Sequence, residues 1–103
     1  MDYAVWVRKN CKFAETAALG IDDDKKSNDK IILRQAIIAE LDAVSLYEQM
    51  AASTSNERVK KLMMDISREE KVHVGEFESL LDELDKEHPK AVEEGKEEAK
   101  EVE

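Results

Sequence analysis

Two carboxylates and an imidazole stand where this sequence would otherwise bury apolar side chains. Glu40 lies in the middle of one apolar pattern, and Glu70 and His73 lie in the middle of a second. Both patterns repeat every three or four residues, which is the spacing of the inward face of an amphipathic helix. An unpartnered buried carboxylate is costly, so such a group usually acquires a partner, a proton or a metal ion.

Two long helices must position these three side chains. The first is predicted from about Asp29, a good N-cap residue, to Ala52, and the second from about Asn56 to Lys86. The predicted inward positions are Leu33, Ile37, Glu40, Val44, Tyr47 and Ala51 in the first helix, and Val59, Leu62, Ile66, Glu70, His73, Phe77, Leu80 and Leu84 in the second.

A short polar break separates the two helices and predicts an antiparallel hairpin. Within it, Thr54 followed by Glu57 has the spacing of a capping box for the second helix. Glu40 and Glu70 lie at similar distances in sequence from the break. At about 1.5 Å per residue, the three polar side chains should therefore meet at one height of the hairpin.

The composition favours a single small domain made of helices. The chain has 103 residues, 40% of them charged, with only three glycines and one proline. We expect an N-terminal helical segment and acidic linker over residues 1–29, a helical hairpin over 30–88, and a charged disordered tail or linker over 89–103. His88-Pro89 should end the second helix, because proline disfavours helix in the residue before it.

The predicted fold is all-α: an antiparallel two-helix hairpin that dimerises into a four-helix bundle, to which residues 2–19 could add an N-terminal helix. A hairpin of roughly 55 residues buries little surface, so we expect only marginal stability for it alone. The first helix is also apolar around most of its circumference, which is typical of a helix covered on several sides. A two-fold dimer is the simplest assembly that provides this cover.

Charge and cysteine content exclude several classes of function. The net charge is −9, with no basic patch, so we expect no nucleic acid partner. The longest apolar runs are far short of a membrane span. Cys11 is the only cysteine, which excludes an intrachain disulfide and fits a reducing cytosolic setting. We interpret Cys11 as a packing residue rather than a reactive thiol.

A two-fold axis turns the three polar residues into a recognisable ligand set. Two chains together supply two Glu and two Glu-x-x-His motifs, which is the arrangement of carboxylate-bridged di-iron bundles. Oxygen-rich ligation with one imidazole per metal suits iron or manganese, and zinc could occupy the site in vitro. The alternative is a buried Glu–His hydrogen-bonded pair that fixes the register of the helices.

Other polar residues near this level are weaker candidates. Tyr47 follows Glu40 by two turns and could hydrogen-bond a ligand carboxylate or act as a redox-active neighbour, or it could be an ordinary core tyrosine. Glu69 and Asp42 leave the apolar pattern and are interpreted as surface acids. His88 is expected to be exposed to solvent.

The stretches Ala36 to Ala51 and Arg68 to Phe77 resemble the encapsulated ferritins, which are ferritin-like proteins housed inside encapsulin nanocompartments of bacteria and archaea. The resemblance covers roughly residues 31–88. It implies that Glu40, Glu70 and His73 are iron ligands, and that Tyr47 is the tyrosine near the centre.

The same resemblance implies an assembly and a setting. Each subunit would be half a ferritin fold, and its dimer would complete a ferroxidase centre holding two irons, with Mn, Zn or Ca as surrogates. The dimers would form an annular decamer, and the partner would be an encapsulin shell protein. The location would be cytoplasmic, within the lumen of the nanocompartment.

The chain departs from the family pattern at three places. Ala39 stands where the pattern has an acidic residue of an outer site through which metal enters, although Asp42 keeps a neighbouring acid. Leu46 replaces a tryptophan. The tail shows no apolar targeting peptide and no fused shell domain, and residues 1–30 have no clear counterpart.

The favoured hypothesis is therefore a ferroxidase that oxidises Fe(II) to Fe(III) for iron storage inside an encapsulin compartment. The alternative is a non-catalytic helical assembly module with a structural metal site or a buried Glu–His pair. A rubrerythrin-like peroxidase is a third hypothesis. It fits less well, because the usual bundle has four helices in one chain and a cysteine-rich rubredoxin partner.

Overall fold

Three helices follow one another in the computed structural model, which describes residues 25–103. They are α1 (Lys25–Ser53), α2 (Glu57–Leu84) and α3 (Glu87–Ala99), and this part of the chain contains no strand. The all-α prediction is confirmed. The predictions for Cys11 and for the N-terminal helical segment lie outside the described residues. None of the three helices is both long enough and apolar enough to span a membrane.

Helices α1 and α2 form an antiparallel hairpin, as predicted. Arg34 near the start of α1 lies 2.9 Å from Asp85 just beyond the end of α2. Glu48, further along α1, lies 3.6 Å from Lys71, which comes earlier in α2. Advancing along one helix thus means moving back along the other.

The cap of α2 differs from the prediction. Its N-cap is Asn56, whose side-chain oxygen accepts hydrogen bonds from the backbone N–H groups of Arg58 (3.0 Å) and Val59 (3.2 Å). Thr54 accepts instead from the backbone N–H of Asn56, at 3.1 Å. The capping box headed by Thr54 is therefore wrong, because asparagine caps a helix as well as threonine does and stands directly before it.

The N-terminal part of α1 also differs from the prediction, because the described residues are already helical from Lys25 onward. Asp29 is inside the helix, so its interpretation as the N-cap is wrong. The four residues from Lys25 to Asn28 contain neither glycine nor proline. These four residues therefore allow the helix to include about one turn before Asp29, the predicted start.

The charged tail is helical where the sequence predicts disorder. Helix α3 has no buried residue, so its charged side chains do face solvent, but its glutamates, lysines and alanines favour helix without a core. Pro89 lies in the first turn of α3, where a missing N–H breaks no hydrogen bond within the helix. Proline therefore stands inside a new helix, while α2 has already ended at Leu84.

The core of the hairpin is small, and it lies on an unexpected face of α2. The buried residues of α2 are Ser67 and Leu81, and they face a first helix that buries Ala43 and Ala51. Four predicted inward positions of α2 are instead 40% to 54% exposed. We call them the exposed seam: Val59, Leu62, Leu80 and Leu84.

Candidate metal centre

The structure brings together the three polar residues that the sequence singles out. Glu40 from α1 and Glu70 and His73 from α2 each offer one ligand atom, and these atoms lie within 4.8 Å of one another. His73 Nδ1 lies 3.5 Å from Glu40 Oε2 and 3.5 Å from Glu70 Oε2. Two ligand atoms bound about 2.1 Å from one ion at an angle of about 110° are about 3.4 Å apart. The spacing thus suits one shared cation.

Helix geometry explains why these side chains meet. Glu70 and His73 are three residues apart in α2 and share one face. Ala43 lies three residues after Glu40 in α1, Ser67 lies three residues before Glu70 in α2, and both are only 1% exposed. Small buried side chains next to the ligands leave room for the two helices to pack closely, so carboxylates from both helices can reach one ion.

The contacts differ from those of a hydrogen-bonded Glu–His pair. A separation of 3.5 Å is longer than the roughly 2.7–3.2 Å of an N–H···O hydrogen bond. Glu40 Oε2 is buried and has no hydrogen-bond partner among the described residues. A buried carboxylate oxygen without a partner is costly unless a cation completes its environment. The donor set therefore fits a metal ion better than it fits a structural pair.

One side of the centre is open in the single chain. The side chains of Glu40 and Glu70 are each 17% exposed, but that of His73 is 44% exposed. The exposed seam follows the same face of α2, with two members before His73 and two after it at helical spacing. The single chain therefore carries a half-exposed polar site in the middle of the exposed seam.

The structure places the weaker candidates in different ways. Tyr47 is half-buried, and no hydrogen bond among the described residues joins its hydroxyl to the three central side chains, so its role stays a prediction. Glu69 is exposed and lies outside the group. His88 is half-buried rather than exposed. Asp42 is also half-buried, and its Oδ2 is buried without a partner, unlike that of a surface acid.

Sequence reasoning missed Ser67. It is 1% exposed, and its hydroxyl has no hydrogen-bond partner among the residues that the structure describes. It stands one residue beyond the predicted inward position Ile66. The only signal was an uncharged small residue one turn before Glu70, and its burial depends on which face of α2 packs against α1.

A separate electrostatic feature joins all three helices at the end of the hairpin away from the turn. Burial by itself raises the pKa of the Asp85 carboxyl, but hydrogen bonds from Arg34 Nη2 and from the His88 backbone N–H lower it. The charges of Lys30 and Arg34 lower it further, and the net pKa lies below its ordinary value. The ionised Asp85 carboxylate therefore links α1, through the Arg34 side chain, to the start of α3, through the His88 backbone N–H.

Comparisons with known proteins decide the family. The profile of the family described as Rubrerythrin matches residues 32–103. A crystal structure of the encapsulated ferritin domain from Pyrococcus furiosus superposes with a TM-score of 0.74 at 50% sequence identity, covering 80% of this chain and 84% of that one. The chain is an encapsulated ferritin-like protein of the rubrerythrin family. The predicted resemblance is confirmed, and with it the ferritin-like fold.

A curated relative of this encapsulated ferritin-like chain is larger. The ferritin-like–encapsulin shell fusion protein of Pyrococcus furiosus is 56% identical over 71 residues, which are 69% of this chain and 21% of that protein. The chain thus spans about a fifth of the length of the curated relative that it matches. Family membership and the clustered Glu40, Glu70 and His73 together indicate a function related to iron.

Proposed function

We propose that this chain is a ferroxidase, which oxidises Fe(II) to Fe(III) at a two-iron centre shared by two copies of the chain. The observation that carries the proposal is the buried, unpartnered Glu40 Oε2, which lies 3.5 Å from His73 Nδ1 with Glu70 equally close to that nitrogen. These two carboxylates and one imidazole are the ligand types of carboxylate-bridged iron proteins.

A second copy completes the centre in this account. One chain supplies one Glu and one Glu-x-x-His, which is half of the set found in di-iron bundles. His73 is exposed on the open side, where a two-fold related hairpin would present the same residues in return. The exposed seam gives this partner an apolar surface on either side of the polar centre.

The proposed role of each side chain follows from its charge. Glu40 and Glu70 supply negative charge, which stabilises the trivalent ion more than the divalent ion and so favours oxidation. His73 must be neutral to offer Nδ1 as a ligand. Each Fe(II), the substrate, loses one electron, and dioxygen or peroxide accepts it. Tyr47 is proposed to hydrogen-bond a ligand carboxylate or to act as a redox-active neighbour.

The proposed setting follows from the relatives. One relative carries a ferritin-like part and an encapsulin shell part in one protein, and another is an encapsulated ferritin domain. We infer that this chain associates with an encapsulin shell and stores iron in the compartment lumen, inside the cytoplasm. Dimers would assemble into an annular decamer, and Mn, Zn or Ca could replace iron at the centre.

The test compares two neighbouring glutamates. Fe(II) is added in air to the purified oligomer, and the absorbance of Fe(III) is followed for the wild type, Glu70→Ala and the matched control Glu69→Ala. We expect Glu70→Ala to fall to the rate in buffer and Glu69→Ala, whose side chain is exposed and outside the group, to retain the wild-type rate.

The outcomes separate the rival functions. A wild-type rate no faster than buffer, with the oligomer intact, would favour the non-catalytic assembly module. Equal losses in Glu69→Ala and Glu70→Ala would contradict the assigned ligand set. Repeating the assay without oxygen and with peroxide tests the peroxidase hypothesis, which requires peroxide to be the much better oxidant.

A further inference from the structure

A buried hydroxyl next to the centre makes no bond within the hairpin. Ser67 is 1% exposed, and its Oγ has no hydrogen-bond partner among the described residues. Burying an unpaired hydroxyl destabilises the folded chain, so such a group calls for a physical reason. A serine in a helix often bonds to the carbonyl four residues back, but Ser67 does not make that bond here.

Its position gives this hydroxyl one natural acceptor. Ser67 lies one turn before Glu70 on α2, so the two Cβ atoms are about 5–6 Å apart and the side chains can reach each other. Ala43, a residue of α1 that is also 1% exposed, has only a methyl group and offers no side-chain acceptor. Glu70 is thus a carboxylate within reach of the enclosed hydroxyl.

We propose that Ser67 is a positioning residue of the metal centre, whose hydroxyl donates to the carboxylate of Glu70 when that carboxylate binds the metal. The inference rests on the proposed function, because it needs Glu70 to be a ligand. Carboxylates that bind metals are commonly held by a second hydrogen bond, which fixes their orientation. A buried hydroxyl of this kind is retained for the orientation that it gives a ligand rather than for the stability of the fold.

The experiment removes the hydroxyl and measures binding rather than turnover. Ser67→Ala is compared, in the full-length oligomer, with wild type and with Ser79→Ala, a matched control in which an exposed serine of the same helix is changed. The measurements are the equilibrium affinity for Fe(II) without oxygen and the denaturation midpoint of the metal-free protein.

We expect Fe(II) to bind Ser67→Ala about 10- to 100-fold more weakly than wild type. The metal-free midpoint of this variant should be unchanged or higher, because alanine removes an unpaired hydroxyl and keeps a small side chain at a buried position. Ser79→Ala should change neither quantity.

Two results would overturn the inference alone. One is wild-type affinity in Ser67→Ala, which would mean that the hydroxyl does not hold a ligand. The other is a lower affinity accompanied by a lower metal-free midpoint, which would assign Ser67 a packing role. Failure of the wild type itself to bind Fe(II) would overturn the proposed function and this inference together.

Discussion

Neighbouring leucines in α2 have opposite environments, since Leu81 is 1% exposed and Leu80 is 51% exposed. Leu81 belongs to the face that closes the hairpin, together with Ser67. Leu80 belongs to the exposed seam, which runs past His73 on the face that the single chain leaves uncovered. The hairpin is therefore closed on one side and open on the other, and the candidate metal centre lies at the open side.

The residue types on the two faces explain this division. The closed face uses small side chains such as Ala43 and Ser67, which allow close approach of the helices but bury little apolar surface. The exposed seam consists of large apolar side chains. Covering them would contribute about 25 cal/mol per Å² of apolar surface removed from water. Part of the hydrophobic stabilisation still available to this chain thus lies on either side of the centre.

The largest expected effect is at the open face. His73→Ala should reduce Fe(II) oxidation to the rate in buffer, because it removes the one imidazole that each chain supplies. The measurement is the initial rate of Fe(III) formation in air. His88→Ala is the matched control, since this second histidine lies at the α2–α3 junction, and it should keep the wild-type rate. Wild-type oxidation by His73→Ala would contradict the assignment.

A charge on the exposed seam should separate the copies. Leu62→Glu would place an unpaired carboxylate in the proposed interface at a cost of about 3–5 kcal/mol, which corresponds to a dissociation constant more than about 100-fold higher. Sedimentation over a range of protein concentrations measures this.

The control for this separation is Val72→Glu. Val72 is similarly exposed, at 49% against 54% for Leu62, but it lies outside the exposed seam. This variant should sediment as the wild type does. If both variants dissociated equally, the exposed seam would have no special part in assembly.

A substitution on the closed face should change the stability of the folded chain rather than the assembly of its copies. Leu81→Ala should lower the free energy of unfolding by about 2–5 kcal/mol, because it leaves a cavity between α1 and α2. Leu80→Ala should have a much smaller effect in the monomeric chain, since half of that side chain is already in water. Urea denaturation at low protein concentration compares the two, and equal losses would refute the difference between the faces.

The smallest effect is at Asp85. Its pKa is lower in the folded chain than in the unfolded chain, so its contribution to stability is present above the unfolded pKa and is lost as the pH falls through the folded pKa. The metal-free wild type should therefore lose thermal stability between about pH 5 and pH 2 more steeply than Asp85→Asn.

A second variant, Arg34→Gln, is measured over the same pH range. It removes the side chain that donates to Asp85 Oδ2. It should reduce the slope in the same direction as Asp85→Asn, by a smaller amount, since the His88 backbone N–H and Lys30 still lower the pKa. Identical slopes in the wild type and Asp85→Asn would show that the ionised Asp85 carboxylate contributes nothing to thermal stability.

Periodicity alone was enough to predict the hairpin and the meeting of Glu40, Glu70 and His73. Apolar spacing fixes which residues share a helix face, and an antiparallel break of known length fixes the level at which two helices match. The ends of α1 at Ser53 and of α2 at Leu84 lie within two residues of the predicted ends.

Other features could not be read from the pattern. Apolar spacing predicts that Leu80 faces inward, but the structure leaves it 51% exposed and buries Leu81 instead. Spacing does not show which side of α2 packs against α1, so Leu81 and Ser67 were missed as the closed face. Helix α3 was missed because a run of charges indicates exposure, whereas helix formation there follows from propensity rather than burial. The burial of Asp42 Oδ2 likewise depends on packing that the sequence pattern does not encode.

The most direct test of the central claim is electron paramagnetic resonance of the oxidised, iron-loaded oligomer together with its iron content. A centre shared by two chains predicts about one iron per chain, in adjacent pairs whose spins couple and leave no signal from isolated Fe(III). The strong resonance of isolated high-spin Fe(III) at the same iron content would contradict the account, because each chain would then hold its metal alone.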